Sequence, residues 1–166
     1  MIALFPTPPG PSARCRAGLA LGAVLLAAAA CNGQTPMKDI RAVVTGPEAG
    51  RFETQAARTI ARGLERIYGG KVRVVAASDD AAGATGLFLQ DAAVRAGLVT
   101  QRELAPLAPD GFVLRATGGR IALAGPRDSG ALYGGMRLLE RLGYHYYAPK
   151  CQSWPDDPPA VLADFE

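Results

Sequence analysis

The sequence predicts an α+β fold in which helices pack on a mixed β-sheet. Short β-branched segments alternate with two amphipathic helical patterns, in the order β-α-β-β-(α)-β-β-α-β. Two of the predicted strands flank the glycine pair Gly118-Gly119, and paired glycines supply the positive φ that a tight hairpin needs. Of the 166 residues, 49% are hydrophobic and 20% are charged, so a folded globular domain is expected.

The domain is predicted to begin with a strand over residues 40–45, which Gly46-Pro47 closes. An amphipathic helix of about four turns follows, because apolar residues recur at every fourth position, and Gly69-Gly70 ends it. Its stripe consists of Phe52, Ala56, Ile60, Leu64 and Tyr68.

The middle of the chain predicts two further strands, over residues 71–77 and 86–90. The loop between them carries Asp79-Asp80. A short helix is expected to start within residues 91–97, and Pro106 and Pro109 mark a loop.

The hairpin comprises residues 112–116 and 120–124, and it leads into the second long helix. Asp128 or Ser129 is predicted to cap this helix, and Gly143 to end it. Its apolar face consists of Leu132, Tyr133, Met136, Leu139 and Leu142.

Two features of this helix predict its packing. Leu139 is expected to face the sheet together with Leu132 and Met136, since the three lie at i, i+4 and i+7. Gly134 and Gly135 lie mid-helix, where each costs about 1 kcal/mol relative to alanine. We therefore expect a close approach to the sheet beneath or to a partner domain.

A last strand is predicted over residues 144–148, returning to the same sheet. The α+β domain thus spans residues 38–149, and the Pro-rich residues 150–166 are interpreted as a linker or extended arm.

The N-terminus is typical of a secretion signal over residues 1–31. Arg14 and Arg16 precede 14 uncharged residues, 17–30, a length that suits a signal h-region and is short for a bilayer of roughly 30 Å. We therefore expect the protein to be exported.

The cleavage site has two interpretations. Residues 26–31 resemble a bacterial lipobox, in which Cys31 would be lipidated and residues 32–37 would form a tether at a membrane surface. The run Ala28-Ala29-Ala30 also fits an ordinary signal peptidase, which would release a soluble periplasmic or secreted protein. The lipoprotein is favoured; without lipidation, a Cys31–Cys151 disulfide becomes possible.

Composition argues against several function classes. The formal net charge is +3, and two of the positive charges lie in the signal, so a nucleic-acid partner is not expected. Arg58, Arg62 and Arg66 recur at i, i+4 and i+8, which is most simply a solvated helix face. His145 is the sole histidine, so no catalytic residue, metal site or cofactor is predicted.

The second half of the chain resembles a known family. The pattern runs from Asp110-Gly-Phe through Ala124-Gly125, then Gly130-Ala-Leu-Tyr-Gly134, residues 138–143 and Tyr147-Ala-Pro149. It is similar to the small α/β domain that precedes the catalytic barrel in β-hexosaminidases, α-glucuronidases and hyaluronidase-type glucosaminidases. The resemblance is specific over residues 110–149 and only topological over residues 38–109.

This resemblance implies a β-hexosaminidase domain 2-like fold, with a mixed sheet carrying helices on one face, in a carbohydrate-processing protein. In those families catalysis belongs to the barrel that follows, which needs roughly 200 further residues. The adjacent pairs Asp79-Asp80 and Asp156-Asp157 are not expected to act as the two carboxylates of a hydrolase. The predicted function is therefore a non-catalytic accessory domain, whose partner is a catalytic barrel in the same or a separate protein.

The alternative is a surface lipoprotein that binds a glycan or a protein without chemistry; a third class, a small hydrolase, has no nucleophile–base pair to support it. Aromatic side chains of the kind on which sugars stack cluster near the end of the predicted domain. They are Tyr144, Tyr146, Tyr147 and Trp154.

Overall fold

The computed structural model describes residues 34–77 and 85–163 of the chain. The predicted signal, Cys31 and the Asp79-Asp80 loop lie outside these described residues. In chain order the elements are β1 (Gln34–Pro36), a 3-10 turn (Met37–Asp39), β2 (Ala42–Thr45), α1 (Arg51–Tyr68), β3 (Arg73–Ala76), β4 (Leu87–Leu89), α2 (Gln90–Arg95), α3 (Gln101–Leu104), β5 (Val113–Thr117), β6 (Arg120–Ala124), α4 (Asp128–Arg141), β7 (His145–Ala148), β8 (Cys151–Ser153) and β9 (Val161–Ala163).

The main sheet is mixed and has the strand order β3-β2-β4-β6-β5. Strands β3, β2, β4 and β6 are parallel, and β5 pairs antiparallel with β6. The β5–β6 turn has Gly118 and Gly119 at φ 57° and 79°, as the glycine pair predicted. The coarse α+β class is thereby confirmed.

Side chains alternate between the two faces of this sheet, as strand geometry requires. One face contributes to the core beneath α1 and α4, through Val43, Leu87, Leu89, Ile121 and Leu123. The other packs against α2 and α3, through Val44, Phe88, Ala122 and Ala124. Helices therefore cover both faces, whereas the resemblance implied one.

The short helix α3 ends just before the loop marked by Pro106 and Pro109, at residues for which the sequence predicted no element. Thr100 and Glu103 form a capping box: the Glu103 amide donates to the Thr100 hydroxyl, and the Thr100 amide donates to Glu103 Oε2 at 2.6 Å. The Thr-x-x-Glu spacing was the sequence signal for this helix.

Helices α1 and α4 approach closely because small residues line their contact. A Cβ added at Gly135 would lie 2.9 Å from Ile60 Cδ1 of α1, and one at Gly134 would lie 3.0 Å from Leu123 of β6. The glycine pair thus serves two contacts, one with the neighbouring helix and one with the sheet.

The same geometry corrects the predicted orientation of Leu139. Leu139 is buried, but it lies one turn after Gly135 and packs over Gly63 of α1, where an added Cβ would lie 2.5 Å from Leu139 Cδ2. Leu138, one turn after Gly134, is also fully buried. Leu139 therefore faces the adjacent helix and not the sheet.

The predicted capping of α4 by Asp128 or Ser129 is wrong. Asp128 instead caps α1, since Phe52 N donates to Asp128 Oδ2 at 2.8 Å and Glu53 N donates to Oδ1. Ser129 Oγ donates to Asp110 Oδ1 at 2.7 Å. The Asp128 carboxylate lies near the first turns of both α1 and α4 and could accept from the free amides of either helix. The packing of α1 against α4 brings it to the amides of α1.

The strand predicted at residues 144–148 does not join the main sheet. Strand β7 forms a separate hairpin with β8. All four β7 residues are exposed, so the strand has no apolar face to bury against the core.

Residues 34–39 and 159–163, at the two ends of the described chain, pack on the same domain. Strand β1, within the predicted tether, pairs antiparallel with β9, within the predicted arm. Met37 and Leu162 are buried in the core. Tyr68 OH donates to the Pro159 carbonyl at 2.7 Å, and burial raises the pKa of Tyr68 to about 12.

Candidate functional site

A groove with a volume of about 620 Å³ separates α1 from the segment around β8. Its buried lining includes Gly63 and Leu139, at the contact between α1 and α4. The remaining lining is polar or aromatic and consists of Thr59, Arg62, Glu65, Arg66, Tyr144, Gln152 and Trp154.

An aromatic pair forms one wall of this groove. The rings of Tyr144 and Trp154 lie 4.5 Å apart between centroids at an angle of 45°, and the Arg66 guanidinium lies 5.1 Å from the Trp154 centroid. Tyr144 OH donates to Gln152 Oε1 at 2.8 Å. These contacts link α1 to the C-terminal segment and hold the side chains in one arrangement.

The groove continues along the exposed face of α1. A second depression of about 550 Å³ shares Thr59 and Arg62 with the first and extends past Arg58 to Arg51. Arg62 and Arg58 are exposed, and within the described part of the chain neither forms an ion pair. The combined surface is a basic, partly aromatic channel, called the α1 groove below.

A third cleft lies at the carboxyl ends of β2 and β4, where ligands often bind in open α/β sheets. It has a volume of about 390 Å³ and includes Glu53, Asp91 and Arg95. Two of its acidic groups already have structural contacts: Glu53 Oε1 accepts from Gly46 N at 2.8 Å, and Asp91 pairs with Arg95 at 2.7 Å. Both carboxyl groups are therefore engaged within the fold, and we do not choose this cleft as the candidate site.

Burial raises the pKa of Glu53, and the neighbouring Asp128 and Asp91 raise it further, against the opposing hydrogen bond from Gly46. A raised carboxyl pKa means that the folded state binds the proton more tightly than the unfolded chain. The free energy of unfolding is therefore highest while Glu53 is protonated. It falls as the pH rises from the ordinary glutamate pKa through the raised pKa of Glu53 in the folded state.

We expect Glu53→Gln to gain stability relative to the wild type as the pH is raised from about 4 to about 8. The glutamine keeps an acceptor for Gly46 N and removes the charge. Urea denaturation at a series of pH values measures the difference. A difference between Glu53→Gln and the wild type that stays flat across this pH range would contradict the assignment.

The structure brings together two of the four aromatic residues that the sequence singled out. Tyr144 and Trp154 line the α1 groove, whereas Tyr146 and Tyr147 are 53% and 68% exposed on the β7–β8 hairpin. Tyr147 stacks on His145 with ring centroids 6.1 Å apart. The hairpin is thus a second aromatic surface, separate from the groove.

The polar half of the groove was not predicted from the sequence. Arg62 and Arg66 belong to the repeat that was interpreted as a solvated helix face, and Gln152 carried no signal. The i, i+4 spacing of the arginines does not by itself indicate a groove, because the opposite wall comes from the C-terminal segment around Gln152 and Trp154. Cys151 is exposed on β8, and its alternative partner Cys31 lies outside the described residues.

Among residues 34–77 and 85–163, no three His, Cys, Asp or Glu side chains are grouped as a metal site would require. Over the same residues, no helix has the length and apolar character needed to cross a bilayer. No protein-family model matches the chain, and no curated protein shows significant similarity to it.

Proposed function

We propose that this chain is a non-catalytic, carbohydrate-binding accessory domain of an exported glycoside-hydrolase-like protein. The observation that carries the proposal is the α1 groove, in which partly exposed Trp154, packed on buried Tyr144, adjoins guanidinium and amide groups. Sugar rings present apolar C–H faces and a rim of hydroxyls. Aromatic side chains bury the former, and arginine and glutamine side chains hydrogen-bond the latter.

The side chains of the groove form a binding site that is already ordered before a ligand binds. Trp154 is held by Tyr144 and Arg66, so little side-chain entropy remains to be lost when a ligand binds. Among the described residues that line the groove by Trp154, Glu65 is the one carboxylate, and its Oε1 accepts from Val72 N at 2.9 Å. Glycoside hydrolysis by two carboxylates needs a second carboxylate on the other side of the bound sugar, which supports a non-catalytic role for this groove.

The resemblance over residues 110–149 supports the same proposal and extends it to a β-hexosaminidase domain 2-like fold. The hairpin followed by a glycine-containing helix occurs here as β5, β6 and α4. In the families that share the pattern, this unit accompanies a catalytic barrel, which we propose as the partner, in the same polypeptide or a separate one.

Glycan-array binding followed by calorimetry tests the proposal. We expect the purified chain to bind a defined glycan class, and Trp154→Ala to weaken that binding at least about tenfold, as loss of a central aromatic contact does. Gln152→Ala, at an exposed groove residue, should weaken it without unfolding the domain. Tyr146→Ser/Tyr147→Ser serves as the matched control on the hairpin.

The outcomes are distinct. Absence of binding to every glycan at high micromolar protein would contradict the proposal. Loss of binding in the hairpin variant alone would move the glycan site to β7–β8. If Trp154→Ala has a thermal midpoint far below that of the wild type, its loss of binding reflects unfolding, and Gln152→Ala then decides the test.

A second function is favoured by the exposure of Tyr146 and Tyr147. Exposed tyrosines on a short hairpin are typical of contacts with another protein domain. If this surface docks the proposed catalytic domain, Tyr146→Ser/Tyr147→Ser should weaken that association in sedimentation velocity while glycan binding stays unchanged. Unchanged association would exclude this surface.

We also propose export as a lipoprotein anchored through Cys31. Expression in a bacterial host with labelled palmitate should label the wild type and not Cys31→Ser. A soluble, unlabelled wild-type product would favour the ordinary signal peptidase and a periplasmic or secreted protein.

A further inference from the structure

We infer that the α1 groove binds an acidic polysaccharide, with carboxylate groups along the glycan chain paired with arginines of α1. This inference rests on the proposed function and names the ligand class of the same site. Its basis is the placement of the α1 arginines, whose spacing in the sequence is also that of a solvated helix face.

Four arginines follow one face of α1. Arg51, Arg58, Arg62 and Arg66 are separated by seven, four and four residues, which are the spacings that return to the same side of a helix. At 1.5 Å per residue, the series spans about 22 Å. All four are exposed, and the depressions of about 550 and 620 Å³ that they line share Arg62.

The central arginines have unused hydrogen-bonding capacity. Arg58 and Arg62 have no carboxylate partner among residues 34–77 and 85–163, and the nearby Glu65 accepts from Val72 N. A guanidinium offers a planar fork of donors that matches a carboxylate in a bidentate pair. A ligand that carries carboxylates at intervals would satisfy this row of donors.

The aromatic end of the groove distinguishes an acidic glycan from other polyanions. Arg66 lies over Trp154, so the last arginine of the row adjoins the Tyr144–Trp154 wall. A glycan presents both a carboxylate for the guanidinium and a C–H face that stacks on the accessible part of the Trp154 ring. A flat anionic membrane fits a concave channel poorly, and a nucleic acid generally needs a broader basic surface than a chain with a net charge of +3 provides.

Binding of matched polymers to the full chain tests the inference. The probes are alginate and polygalacturonate oligosaccharides, and the same oligosaccharides after reduction of their carboxyl groups to alcohols. We expect the acidic forms to bind at least about tenfold more tightly than the reduced forms, and we expect affinity to fall as salt is raised.

The double variant Arg58→Gln/Arg62→Gln should remove most of that preference while keeping the helix polar and folded. Arg102→Gln, on α3 at the opposite face of the sheet, is the matched control and should leave binding unchanged. A single-stranded oligonucleotide and phosphatidylglycerol vesicles complete the comparison as polyanions without sugar carboxylates.

The results separate this inference from the proposed function. Equal binding of acidic and reduced glycans, or binding of neutral glycans alone, would overturn the inference and leave the proposed function standing. Oligonucleotide or vesicle binding as tight as that of the acidic glycans would also overturn it. If no glycan of either kind binds, the proposed function fails as well.

Discussion

Replacing Leu139 by alanine is expected to lower the free energy of unfolding by about 2–5 kcal/mol. Leu139 is 1% exposed and fills the space over Gly63, so its truncation leaves a cavity between α1 and α4. Domains of this size are stable by about 5–15 kcal/mol in total. The thermal midpoint, followed by circular dichroism, should fall by roughly 8–20 °C.

Arg141→Ala is the control at the end of the same helix. Arg141 is exposed, and surface interactions of arginine contribute about 1 kcal/mol or less. Equal losses from the two substitutions would mean that Leu139 does not hold the two helices together.

Gly130→Ala is expected to destabilise the domain by about 3 kcal/mol or more, or to prevent folding. An added Cβ would lie 2.5 Å from the Gly111 carbonyl oxygen and 3.1 Å from Gly125 Cα. Both obstacles are backbone atoms, so no side-chain rotation can relieve the clash. Urea denaturation, together with the yield of folded protein, measures the effect.

The direction of the result is diagnostic, because alanine is a better helix former than glycine by about 1 kcal/mol in the absence of a clash. A neutral or stabilising Gly130→Ala would contradict the close backbone contact at the start of α4. Ser129→Ala, at the adjacent position, removes one hydrogen bond to Asp110 and should cost about 1 kcal/mol.

The same contact accounts for the Gly125–Gly130 turn, whose glycines could suggest a phosphate cradle from sequence. Both glycines face the backbone of Gly111, where an added Cβ would collide. Their small size is therefore used for packing between the β6–α4 turn and the start of β5.

Elements whose signals are local were predictable. Helix α1 follows a four-residue apolar period and ends at Gly69, whose φ of 71° is a conformation that glycine favours. The β5–β6 hairpin follows from Gly118-Gly119 for the same reason. Buried Tyr144 and partly buried Trp154 were also predicted as candidate site residues, because aromatic side chains of the kind on which sugars stack cluster near the end of the domain.

What depended on distant partners was not predictable. Asp128 caps a helix start 76 residues earlier at Phe52, Leu139 packs on Gly63, and β7 pairs with β8 and leaves the main sheet. The sequence alone determined helices α1 and α4 and strands β2 to β6, because backbone preference and apolar periodicity act over a few neighbouring residues. It did not predict β1, α3, β8 or β9, which are only three or four residues long. The tertiary structure alone decided the caps, the helix contact and the α1 groove, because each joins groups whose proximity arises only when the elements pack.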